Sequence, residues 1–169
     1  MPYFKSPFWK FIGSLLIITA LTFAPINLNT QMTARHAGGV SCFLIAALLV
    51  LSAGKAVFYE VVSAKGKRSK AQKFFSFCHQ YLGWTLFIFI GYHSLFFLNL
   101  FLQSAAKITA SFIITGILAT ICFILALMSG LDINKRPEHS KRRLFKADYS
   151  RHLIAVLLLA LLIVLHINV

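Results

Sequence analysis

Five apolar runs, at residues 8–25, 37–62, 76–102, 108–131 and 147–167, take up most of the chain. Each approaches or exceeds the roughly 20 residues of helix that cross a hydrocarbon core about 30 Å thick. The composition agrees, because 59% of the residues are hydrophobic where soluble domains have about 45–50%. The expected architecture is therefore an all-α membrane protein, a five-transmembrane-helix bundle forming one domain over residues 1–169. The first run, "FWKFIGSLLIITALTFAP", has no small-residue cleavage site and is expected to stay as a span. Cys42, Cys78 and Cys122 all fall inside apolar runs, so they read as packing residues and give neither a disulfide framework nor a metal motif.

The formal charge of +13 would suit a nucleic-acid binder, but its distribution points elsewhere. Of the 17 Lys and Arg, all but Arg35 and Lys107 belong to the N-terminus, to "SAKGKRSKAQK", to "DINKRPEHSKRRLFKAD", or to helix ends on that side. If all five runs cross, these segments share one side, which the positive-inside rule makes cytoplasmic. The N-terminus is then inside and the C-terminus outside. The setting expected is a bacterial inner membrane, with no nucleic acid as partner and anionic lipid as a secondary use of the basic face.

Two histidine pairs stand out against so apolar a background. In "CHQYLGWTLFIFIGYH" His79 and His93 are 14 residues apart, and in "RHLIAVLLLALLIVLH" so are His152 and His166. On a helix that spacing separates two side chains by about 21 Å and keeps them within about 40° of one face. The third and fifth spans must run in parallel, which brings His79 level with His152 on the inner side and His93 level with His166 on the outer side. Two imidazoles facing each other can fill both axial positions of a haem iron, and here there are two such levels. Neutral imidazole achieves this without burying a charge. Zinc or copper fits less well, since neither level adds the same carboxylate or thiolate to complete a set.

With "HQYLG" followed by a second histidine on the third span, and the paired histidines on the fifth, the chain resembles the ferric reductase transmembrane domain. That family includes ferric reductases, NADPH oxidases and the haem-bearing partner of bacterial periplasmic methionine sulfoxide reductase. The resemblance implies two b-type haems stacked between helices 3 and 5, with His79 and His152 on the inner iron and His93 and His166 on the outer. The family's sixth helix and its C-terminal flavin and nicotinamide domain have no counterpart in this sequence. A separate flavoprotein or quinol on the cytoplasmic side is therefore the expected donor, and a homo-oligomer is one way to replace the missing helix.

Cytochrome b of the quinol-oxidising complexes also pairs histidines 14 apart, and Gly116 and Gly130 in the fourth run, themselves 14 apart, are similar to glycines that admit haem edges there. Its ligand helices run in the opposite direction. Haem propionates need basic partners near each surface: Arg151 and Lys55 are the inner candidates, Arg35 and His36 the outer ones. Plain snorkelling to the interface explains the same residues. Gly38, Gly39, Gly83 and Gly91 suit close approach of helix or haem, and Tyr81, Trp84, Tyr92 and Phe96 are placed to flank macrocycles.

The function expected is electron transfer from a cytoplasmic donor, through inner then outer haem, to an outer-side acceptor or partner protein, as the membrane subunit of an oxidoreductase. The alternatives are a quinol-linked cytochrome subunit and a histidine-lined metal or proton transporter without haem. The four acidic residues, Glu60, Asp132, Glu138 and Asp148, all lie toward the cytosolic side, which leaves a transport path few intramembrane acids.

Overall fold

The computed structural model describes residues 7–23, 31–62, 65–103, 109–135 and 144–169. They form five helices: α1 (Pro7–Phe23), α2 (Gln31–Val61), α3 (Lys65–Gln103), α4 (Ala110–Lys135) and α5 (Leu144–Ile167). No strand occurs among the described residues. Four stretches, Gln31–Val61, Lys70–Gln103, Ala110–Leu131 and Tyr149–Ile167, are long and apolar enough to cross a membrane, and the apolar stretch of α1, Trp9–Thr22, is shorter. The chain is thus a multi-pass membrane protein with four to five spanning helices.

The helices follow the order of the apolar runs but extend past them. α2 begins at Gln31 rather than residue 37, and α3 begins at Lys65 rather than residue 76. Gln, Met, Ala, Lys and Arg are strong helix formers, so helix continues where hydropathy has already fallen. At 39 residues, α3 is about 58 Å long, beyond the roughly 40–45 Å of a whole bilayer; its excess is the turn bearing exposed Lys67, Lys70 and Lys73. α1, with 17 residues, sits at the lower limit for a span of about 17–25. The expected ends at residues 25 and 108, together with Lys107 and His139, lie outside the described residues.

Large apolar side chains face outward along the helices, with Phe43 and Val50 each 72% exposed. Water would penalise that surface heavily, whereas lipid tails accept it. Hydroxyls within the helices bond their own backbone one turn back, as Thr22 does to the Ile18 carbonyl (2.8 Å) and Ser41 to that of Ala37 (2.9 Å). Such bonds satisfy groups that hydrocarbon cannot.

The residues gather in two compact units, Met1–His93 and Ser94–Val169. In the first unit the Phe11 and Phe87 rings stack with centroids 5.7 Å apart, and Ile18 fills the space beside Gly91, so α1 and α3 run in the same sense. α2 runs against α3, with Phe58 beside Phe75 near one end and Ala34 beside His93 near the other. In the second unit Ser94 and Phe97 of α3 meet Thr120 and Phe112 of α4, an antiparallel register. α5 then returns against α4, with His152 beside Gly130 and His166 beside Gly116. Within that unit the end of α3 and the whole of α5 therefore run in parallel.

Candidate functional site

Three of the four paired histidines insert their rings against a neighbouring helix at a glycine. His93 of α3 lies against α2, its Nδ1 2.8 Å from the Ala34 carbonyl. A Cβ at Gly38 would stand 2.7 Å from both Cε1 and Nδ1 of that ring, so only glycine leaves room. His152 of α5 lies against α4, with Nδ1 2.9 Å from the Ala126 carbonyl and 3.3 Å from the Ser129 hydroxyl; a Cβ at Gly130 would approach its ring to 3.4 Å. His166, 14 residues further along α5, repeats the arrangement: Nδ1 is 3.0 Å from the Thr115 hydroxyl, and a Cβ at Gly116 would stand 3.1 Å from its Cε1. Phe112 adds a ring over that imidazole, centroids 4.1 Å apart.

These contacts fix protons. A carbonyl can only accept, so Nδ1 of His93 and of His152 must carry the hydrogen. The Thr115 hydroxyl donates into its own helix, to the Ser111 and Phe112 carbonyls at 2.9 and 3.1 Å. Its oxygen is then the acceptor for Nδ1–H of His166. In each neutral ring the lone pair is consequently on Nε2, and a histidine that donates from Nδ1 to a carbonyl or hydroxyl is oriented to ligate metal through Nε2. Interhelical bonds of this kind contribute on average about 0.6 kcal/mol and at most about 1.7, so their orienting effect exceeds their effect on stability.

His79 is half-buried on α3, one turn beyond Ser76, whose hydroxyl accepts from Gln80 at 3.3 Å. The register that sets Phe58 beside Phe75 carries His79 to about the level of Gly54 and Lys55 on α2. Arg35 and His36 follow Ala34 directly and so share the level of His93. Basic residues thus accompany both histidines of α3, at their own levels. Lys55, Arg35, His36 and Arg151 are all exposed.

In the second unit Ser94, the residue after His93, donates to the Thr120 hydroxyl at 2.8 Å, and Thr120 donates to the Gly116 carbonyl at 2.8 Å. Gly116 is the glycine against which His166 rests, so the α3 residue next to His93 and the α5 residue His166 lie within about one turn of α4. Among the described residues no three of His, Cys, Asp and Glu gather into a ligand set for a bare ion.

The glycines divide by what they face. Gly116 and Gly130 admit imidazole rings, Gly91 admits Ile18, and nothing lies within 4 Å of a Cβ at Gly39 or Gly83. Of the aromatics, Tyr81 is exposed and stacks on Phe77, Trp84 meets Phe87 edge-on, Phe96 meets Phe97, and Tyr92 is buried. Thr115, Ser129, Phe112 and the carbonyls of Ala34 and Ala126 were not singled out by the sequence. A signal for two of them exists: Thr-Gly and Ser-Gly recur in α4 at the same interval as the histidines of α5. No protein-family model, curated protein or solved structure matches the chain.

Proposed function

We propose that this chain is a dihaem b-type cytochrome that carries electrons across the membrane, from a donor on the cytoplasmic side to an acceptor outside. The observation supporting it is the Nδ1 bonding of His93, His152 and His166, which leaves the lone pair on Nε2 of each ring. A donor set of neutral imidazoles on membrane helices fits haem iron. His79, His93, His152 and His166 would hold two haems, two imidazoles to each. Such a group, when bound, would supply one-electron exchange at iron.

The protein's own residues prepare the ligands. Gly38, Gly116 and Gly130 allow the rings to sit against neighbouring helices; Ala34, Ala126 and Thr115 hold their orientation and tautomer. Arg35, Lys55 and Arg151 offer positive charge, and His36 a hydrogen-bonding imidazole, toward the surfaces, where propionates would lie. The Lys and Arg distribution supports an inside N-terminus and outside C-terminus, as in a bacterial inner membrane. In this reading the chain would serve as the membrane subunit of an oxidoreductase, taking its electrons from a separate flavoprotein or from quinol.

The test is a visible spectrum of the purified protein, oxidised and dithionite-reduced, with pyridine haemochrome quantification. A sharp reduced α-band and two haems per chain are expected. His93→Ala or His166→Ala should each remove one haem and leave the other reducible. A colourless protein would sink the proposal and leave the histidines as helix-packing residues.

A further inference from the structure

The two histidines of α5 are docked on α4 by unequal acceptors. His152 donates to a backbone carbonyl, Ala126 O at 2.9 Å, with the Ser129 hydroxyl at the longer distance of 3.3 Å. His166 donates to a hydroxyl, Thr115 Oγ1 at 3.0 Å, and has an aromatic ring over it. A carbonyl is the stronger acceptor and pushes more electron density through the imidazole onto Nε2. The Thr115 oxygen also spends its own proton on carbonyls of its helix, so it is fixed in place as an acceptor.

We propose that α4 is a tuning helix and that Thr115 is the positioning residue that makes His166 a weaker electron donor to iron than His152. This rests on the haem-ligand reading for its consequence, though not for the tautomer it assigns. Electron density on an axial nitrogen stabilises ferric iron and lowers its potential. His93 also donates to a carbonyl, Ala34 O at 2.8 Å, so of the three docked imidazoles His166, on Thr115, is the weakest donor and lowers the potential of its iron least. Thr115→Val or Thr115→Ala withdraws the acceptor from His166, and Ser129→Ala leaves the Ala126 carbonyl in place for His152.

The experiment has two arms on the full chain in nanodiscs. In the first, a potentiometric titration of the haem-loaded protein should give two waves. Thr115→Val should move one wave to higher potential and leave the other, Thr115→Ser should restore it, and Ser129→Ala should move neither. Movement of both waves together, or of none, overturns the proposal. In the second arm, 15N spectra of histidine-labelled protein without haem should show His166 with its proton on Nδ1 in the wild type and a changed tautomer balance in Thr115→Ala, while His152 keeps its own. A His166 protonated on Nε2 in the wild type overturns it equally. If no haem binds at all, the function proposed above fails while the second arm still decides the role of Thr115.

Discussion

Gly38 and Gly39 are neighbours on α2 with opposite demands. A methyl at Gly38 would enter the His93 ring, which cannot retreat without breaking its bond to Ala34. Overpacking of this kind costs about 1–3 kcal/mol. A methyl at Gly39 meets nothing within 4 Å and replaces a poor helix former, a gain of up to about 1 kcal/mol in an exposed helix. Thermal unfolding in one detergent should therefore place Gly38→Ala below the wild type and Gly39→Ala level with it or above. Equal effects would mean that the ring does not occupy the space at Gly38. The paired histidines could be read from the sequence because imidazole is rare in apolar helices and its spacing is countable. Their acceptors could not, since a carbonyl belongs to every residue and Ala34 and Ala126 carry no mark of their use. Thr115 and Ser129 were hidden differently: hydroxyls that bond their own helix are ordinary in lipid.

At the scale of the elements, α4 and α5 act as matched partners. Gly116 faces His166 and Gly130 faces His152, so the same interval occurs on both helices in opposite senses. One alanine inserted after Cys122 would rotate one half of α4 by about 100° relative to the other. Only one glycine could then face α5. The expected result is loss of one haem signal with the other retained, read from the reduced spectrum and haem quantification. Retention of both signals would show that docking on α4 is unnecessary for ligation. The apolar runs revealed the existence and order of all five helices. They missed the starts of α2 and α3, because "QMTAR" and "KGKRSKAQK" are polar enough to leave a span yet rich in residues that extend a helix.

For the whole molecule, the basic residues make a prediction about direction. A reporter that works only in the cytoplasm should be active when fused before Met1 and inactive after Val169, and one that works only outside should do the reverse. The opposite pattern would turn the order of the two histidine levels over, so that His79 and His152 would be outermost. The expected direction rests on the sorting of lysine and arginine across membranes by charge.

The matched docking of α5 on α4 also bears on a variable that no side chain controls. A helix pair in a thinner or thicker bilayer responds mainly by tilting, and tilt changes the depth of both imidazoles together. Because His152 and His166 are each seated on a glycine of the same neighbour, sliding α5 would have to break both seats at once. The pair is a built-in ruler: the roughly 21 Å between its two imidazoles belongs to the protein and stays constant when the lipid does not.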